Sequence, residues 1–258
     1  MASLPDVHGI LIDIDGVLYV GNRAVGGAAD AIRQLAERPL PHRYVTNTTT
    51  HSRQQLAARL QGLGFAITPE EILSTPAAAA AYLQQRHYHT CCCVVGDAIR
   101  PEFAGFDSDT ETPDAIVIGD IGSTWSYELV NRLARMVLAG AELIALHKGR
   151  FWQTEAGLQV DIGAFVAGIE YVTGVTATVI GKPSPAFFHT ALEALGCSPE
   201  QVVMIGDDIE SDVGGAQRCG MRGVLVKTGK YRRAQADASS VKPDLLLDSI
   251  ADLPDCLA

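Results

Sequence analysis

A short apolar stretch, residues 7–12, runs into Ile12-Asp13-Ile14-Asp15-Gly16-Val17-Leu18-Tyr19. No other segment constrains this chain as strongly. Two carboxylates two positions apart share one face of a continuing strand, where they repel each other. If that strand is buried, the repulsion calls for a bound cation, a substrate, or both. Gly16 follows at once, so the backbone can turn there and come close to a ligand. Open α/β sheets keep their chemistry where a strand ends in such a turn.

The rest of the chain alternates strand and helix patterns. Short apolar strands are expected near 7–12, 42–45, 72–73, 91–95, 115–118, 143–146, 177–180, 202–205, 223–226 and 245–247. Helical spacing is clearest at Ala28, Ala31, Ile32 and Leu35, and again at Leu129, Leu133 and Val137. Thr75-Pro76 opens a helix through an alanine run to Gln85. Residues 147–152 read as the start of a long surface loop, and Asp212 as the leading residue of a helix. Repeated βα units imply a mostly parallel sheet covered by helices. The fold class is therefore α/β, with a Rossmann-like parallel-sheet core and a smaller inserted α/β domain. The expected boundaries are core at 1–78, insertion at 79–176, and core again at 177–258.

Bulk properties narrow the function. The 258 residues are 47% hydrophobic, enough for two α/β domains. A formal net charge of −10 with no basic cluster argues against nucleic acid as a partner. No apolar run approaches the roughly 18 residues of a membrane span, and no polybasic patch marks a membrane surface. Residues 1–6 lack the basic-then-apolar pattern of a signal peptide. The six cysteines, three of them adjacent at Cys91, Cys92 and Cys93, form no Cys-x-x-Cys pair or zinc spacing. Buried thiols in a reducing cytoplasm are the plain reading.

Four clusters fall at expected strand ends: Asp13/Asp15, Thr46/Asn47, Lys182, and Asp207/Asp208/Asp212. In a parallel sheet those ends share one edge, so residues distant in sequence converge. Hard oxygen donors with few imidazoles suit Mg²⁺ rather than zinc. A lysine, small hydroxyl and amide groups and backbone N–H groups suit a phosphoryl group. Taken singly each cluster has a duller explanation. Asp-x-Asp is usually a solvated loop, Thr-Asn a turn, Lys before Pro a surface residue, and Gly-Asp-Asp a helix cap. Their order, each after an apolar strand, makes the chemical reading the stronger one.

The segments Asp13-Ile14-Asp15-Gly16-Val17-Leu18, Val45-Thr46-Asn47, Gly181-Lys182-Pro183 and Gly206-Asp207-Asp208-Ile209-Glu210-Ser211-Asp212 resemble the four motifs of the haloacid-dehalogenase superfamily of phosphohydrolases. The separation of the second and third resembles the class with a large C2-type α/β cap. Thr46-Asn47-Thr48-Thr49 and the run 206–228 resemble a narrower branch. That branch holds the 4-nitrophenylphosphatase-like enzymes and phospholysine phosphohistidine inorganic pyrophosphate phosphatase.

The resemblance implies roles. Asp13 would be the nucleophile that forms an aspartyl phosphate, and Asp15 the general acid and then base. Mg²⁺ would be the cofactor, held by Asp13, Asp207 and the Asp15 backbone carbonyl. Asp212 would orient the metal shell, and Asp208 would either join it or cap a helix. Thr46 and Asn47 would bind the phosphoryl group, and Lys182 would neutralise both nucleophile and substrate. The substrate would be a small phosphorylated metabolite or pyrophosphate, since such a cap closes over the core site. A homodimer through the cap is a further expectation of the family.

Substrate choice then falls to the cap, with candidates in the loop 147–153 (His147, Lys148, Arg150) and near 161–165; Asp97 and Asp120 read as structural. Three rivals remain. A Rossmann dehydrogenase would need Gly-x-Gly-x-x-Gly where Asp13-Ile14-Asp15-Gly16 stands. A phospho-acceptor receiver, which is not an enzyme, would be one compact domain without a general acid. A phosphotransferase would pass the same aspartyl phosphate to an acceptor hydroxyl.

Overall fold

The computed structural model describes residues 4–108, 110–154 and 157–257, with the backbone alone for 151–154 and 157–158. Two compact units emerge. One comprises Met1–Thr46, Arg53–Ser74 and Lys182–Ala258; the other comprises Asn47–Ser52 and Thr75–Gly181. No helix among the described residues is long and apolar enough to cross a membrane.

The first unit is built on a six-stranded, all-parallel sheet. Its spatial order is Leu245–Leu247, Arg222–Val226, Val202–Gly206, Gly9–Asp13, His42–Thr46, Ile72–Ser74. Gly9–Asp13 lies inside this sheet, and Ile10, Leu11 and Ile12 are wholly buried. A strand covered on both faces needs such an uninterrupted apolar run. From it the chain steps outward to His42–Thr46 and Ile72–Ser74. After the insertion it returns to Val202–Gly206 and steps outward the other way. The direction of winding therefore reverses beside Gly9–Asp13, and such a reversal opens a crevice at the carboxyl ends of the strands.

The helix Ala28–Ala36 buries Ala28, Ala31, Ile32 and Leu35, the four positions whose spacing predicted it. Each large aliphatic side chain so buried contributes roughly 1.5–3 kcal/mol. A small antiparallel hairpin, Tyr19–Val20 with Arg23–Ala24, was not anticipated. It turns at Gly21, whose φ of +58° is open to glycine without a Cβ penalty.

The second unit has its own parallel sheet, ordered Thr178–Val179, Glu142–Ala145, Ala115–Ile118, Cys91–Val94. Tyr127–Leu138 and Gly163–Thr173 bury Leu133, Val137, Val166 and Ile169 in its core. Gly174 ends the latter helix at φ +70°.

Three expectations change. The loop from 147 contains an antiparallel hairpin, Phe151–Thr154 with Gly157–Val160. Pairing gives these backbone groups partners that an extended loop would have to find in water. Residues 177–180, expected to begin the second part of the core, instead contribute Thr178–Val179 as the edge strand of the second sheet. The units accordingly change over at Ser74/Thr75 and Gly181/Lys182. The physical reason is one carboxylate. Glu142 accepts hydrogen bonds from Tyr82 at 2.8 Å, Tyr88 at 2.7 Å and Thr178 at 2.8 Å. The helix Thr75–Gln85 and the strand Thr178–Val179 are thereby tied to Glu142–Ala145. Thirdly, Asp212 does not lead its helix. The turn starts earlier, as the π-helical stretch Ile209–Gly214, because Asp208 caps it.

Candidate active site

Asp13 is the last residue of the first strand and is 6% exposed. Its Oδ1 accepts a hydrogen bond from Lys182 Nζ at 2.5 Å. Lys182 Nζ also lies 2.8 Å from Asp212 Oδ1, and Lys182 and Asp212 are 6% and 2% exposed. One ammonium therefore bridges two buried carboxylates. Burial works against the Lys182 charge, but Asp13 and Asp212 outweigh it and hold the ammonium protonated well above the usual lysine range.

Asp207 follows the strand Val202–Gly206 and is 2% exposed. Its Oδ2 accepts the backbone N–H of Lys230 at 2.6 Å. Oxygens of Asp13, Asp207 and Asp212 all lie within 4.8 Å of one another. Two oxygens on one Mg²⁺ can be at most about 4.2 Å apart, so a small adjustment brings this set onto one ion.

The charges fit a cation too. Among the described residues three buried carboxylates share one buried ammonium, Lys182, with the Lys230 charge acting on Asp207 as well, so negative charge is in excess if all are ionised. Burial, with Asp207 and Asp212 alongside, pushes the Asp13 carboxyl up despite Lys182. Burial, aided by Asp212, likewise pushes Asp207 up to about 6. Asp212 Oδ1 is buried and, beyond its ion pair, has no well-aligned hydrogen bond. A divalent cation supplies what is missing at each of these oxygens.

Glycines make room for the cluster. A Cβ at Gly16, where φ is +92°, would overlap the Asp207 carboxylate, and one at Gly206 would overlap Asp212. The π-helical turn brings Asp212 back toward the strand end, where its Oδ2 accepts the N–H of Asp208 at 3.1 Å.

Asp15 is half-buried and stands outside the carboxylate cluster. Its Oδ2 lies 3.5 Å from Thr46 Oγ1, and its side chain is hydrogen-bonded by the Tyr19 hydroxyl. Arg59 stacks on that tyrosine ring at 4.4 Å and donates to the carbonyl of Gly21 at 2.7 Å. The hairpin thus braces Asp15. Tyr19 and Arg59 were not picked out in the sequence, although the hairpin's Gly21-Asn22 was a legible turn signal.

The remaining candidates separate. Asp208 caps the turn that follows, accepting N–H bonds from Glu210 at 3.0 Å and Ser211 at 3.1 Å. Asn47 is exposed and groups with the second unit, where its Oδ1 accepts from Thr75 at 3.4 Å. In that unit Lys148 pairs with Glu170 at 2.6 Å, and His147 Nδ1 lies 3.7 Å from Asp161. Lys148, Arg150, Gly163, Ala164 and Ala167 line an open groove of about 380 Å³. The side chains of residues 151–153, also named as candidates, lie outside the described residues. Asp120 accepts the N–H of Gly122 at 2.8 Å, and Asp97 lies 3.5 Å from Arg100. Both therefore serve local turns.

A parallel sheet with an inserted α/β unit, and three aspartates and a lysine gathered where its winding reverses, define a hydrolase class. The chain belongs to the haloacid dehalogenase-like hydrolases. The family model of that description matches residues 10–108, and a second, HAD-hydrolase-like model matches 179–253. Haloacid dehalogenase-like hydrolase domain-containing protein 2 of Bos taurus is 42% identical over 96% of this chain and 95% of its own length. The phospholysine phosphohistidine inorganic pyrophosphate phosphatase of Homo sapiens is 41% identical over 98% of this chain and 95% of its own. Among solved structures, the p-nitrophenyl phosphatase from Archaeoglobus fulgidus superposes with a TM-score of 0.88 at 28% identity. That match covers 98% of this chain and all of that one.

Proposed function

We propose that this chain is a Mg²⁺-dependent phosphohydrolase of small phosphorylated substrates that works through an aspartyl phosphate on Asp13. The observation that carries this reading is the placement of Asp13. It ends a buried strand beside the sheet's reversal, is paired with Lys182, and has a carboxylate oxygen within 4.8 Å of those of Asp207 and Asp212. Mg²⁺, when bound, screens the repulsion between an anionic phosphoryl group and the carboxylates, and keeps Asp13 ionised.

In this reading Asp13 attacks phosphorus in line, and the leaving oxygen takes a proton from Asp15. Asp15 then removes a proton from water, which attacks the aspartyl phosphate and releases phosphate. Thr46 and Asn47 hold phosphoryl oxygens, and Lys182 offsets charge at the nucleophile. Asp13, Asp207 and the Asp15 carbonyl would hold the ion, and Asp212 would orient its surroundings. The preferred substrates are pyrophosphate, an aryl phosphate or a small organic phosphate, in keeping with the activities for which the relatives are named. Within the inserted unit, Lys148 and Arg150 give the groove a basic lining suited to an anionic group. The assembly is a homodimer through the inserted unit. Six free thiols, two of them buried, suit a reducing compartment such as the cytoplasm.

A panel of p-nitrophenyl phosphate, pyrophosphate, phosphoramidates and sugar phosphates, assayed with and without Mg²⁺, tests the activity. The expected result is metal-dependent phosphate release that Asp13→Asn abolishes. Normal turnover by Asp13→Asn in magnesium would sink the assignment.

A further inference from the structure

The loop after the strand Arg222–Val226 touches the site twice, and one hydroxyl anchors it. Thr228 Oγ1 donates to the carbonyl oxygen of Gly16 at 2.5 Å. Two residues on, the Lys230 N–H donates to Asp207 Oδ2 at 2.6 Å. Between them Gly229 has φ +57°, and a Cβ there would overlap both the Asp207 carboxylate and the Gly16 Cα. Gly16 is held from its other side as well, its N–H donating to the Tyr19 carbonyl at 2.8 Å. The Thr228 hydroxyl therefore joins the turn that carries Asp15 and Gly16 to the backbone that orients Asp207.

We propose that Thr228 is a positioning residue for the cation site: its bond to Gly16 fixes the register of residues 228–230, and so the direction of the Asp207 carboxylate. The inference rests on the reading of Asp13 and Asp207 as metal ligands. An oriented carboxylate enters coordination without first being ordered, so the anchor acts on affinity for the ion rather than on the chemical step. Nothing in the chemistry assigned to Asp13, Asp15 or Lys182 requires the Thr228 hydroxyl. Thr228→Val keeps the shape and removes the donor; Thr228→Ser keeps the donor.

Calorimetric titration of MgCl₂ into wild type, Thr228→Val and Thr228→Ser at pH 7.5 tests the idea. Thr228→Val is expected to bind Mg²⁺ about tenfold more weakly, in the range seen when groups behind metal ligands are removed. Thr228→Ser is expected to stay close to wild type. With p-nitrophenyl phosphate, kcat at saturating Mg²⁺ is expected to stay near the wild-type value while half-saturating Mg²⁺ rises. Unchanged Mg²⁺ affinity in a folded Thr228→Val would overturn the inference, as would a Thr228→Ser as weak as the valine variant. If the valine variant does not fold, Thr228→Ala takes its place, with the same outcomes. Wild type that binds no Mg²⁺ would overturn the metal reading itself and this inference with it.

Discussion

Lys182 is the residue on which the site's electrostatics turn. It is the one cation within reach of both Asp13 and Asp212 among the described residues, and both ion pairs are buried. Removing one member of such a group leaves uncompensated charge in a medium that solvates it poorly, at a cost of about 3–5 kcal/mol. Lys182→Met is therefore expected to lower the urea midpoint of the metal-free protein by a corresponding amount. Added Mg²⁺ should restore part of the loss, because the ion supplies positive charge to the same carboxylates. Restoration equal in wild type and variant would contradict that account.

A pH effect belongs to the same residues. Asp207 is raised to about 6, burial being the main cause. A carboxyl whose folded pKa exceeds its unfolded value favours folding most when protonated. Its contribution is complete below about 4 and is lost as pH rises through about 6. Protons and Mg²⁺ compete for this carboxylate, so the Mg²⁺ dissociation constant should fall as pH rises from 5 to 7. Titrations at several pH values check this; flat affinity across that range would refute it.

At the scale of elements, Glu142 illustrates how a polar group can set the limits of a unit. Three hydroxyls converge on it, from Tyr82, Tyr88 and Thr178. Its neighbours' phenols are pushed up, Tyr82 and Tyr88 by burial first and by their bonds to Glu142 next. Glu142→Ala would leave hydroxyls without an acceptor, at about 1–3 kcal/mol. Hydrogen exchange is expected to report this loss at Thr178–Val179 and in the helix Thr75–Gln85, and to leave Gly9–Asp13 unchanged. The hairpin Tyr19–Val20 with Arg23–Ala24 works on a smaller scale, carrying Tyr19 to Asp15 and Arg59 to Tyr19.

For the molecule as a whole, cation binding and folding are linked. An ion that binds the folded state alone, at one hundred times its dissociation constant, adds about 2.7 kcal/mol of stability. Thermal unfolding with and without Mg²⁺ at pH 7.5 is expected to show that gain, and a much smaller one at pH 5. In Asp13→Asn the gain should shrink, since a ligand is lost. The two sheets also account for the chain's length. The first carries the carboxylates, and the second gives the chain a distinct core of its own around Leu133, Leu143 and Val166.

Much of this was legible beforehand because local chemistry dictates it. An unbroken Ile10-Leu11-Ile12 running into a glycine turn suits a buried strand, the spacing of Ala28, Ala31, Ile32 and Leu35 suits one buried side of a helix, and carboxylates at strand ends in a parallel sheet share one edge. The four motifs stood out for the same reason. What the linear order could not supply was contact between distant segments. Thr178–Val179 has a strand's sequence in either unit, and only its partner Glu142–Ala145 assigns it. Asp212 and Asp208 look alike as text, yet a π-helical turn brings one to Lys182 and leaves the other as a cap. Asp13 and Asp15 were a repelling pair in the sequence; the fold separates them, one to a buried lysine and two further carboxylates, the other to Thr46 and Tyr19. Thr228 closes a run that resembles the family, yet its contact could not be read there, because its partner is a backbone carbonyl more than two hundred residues away.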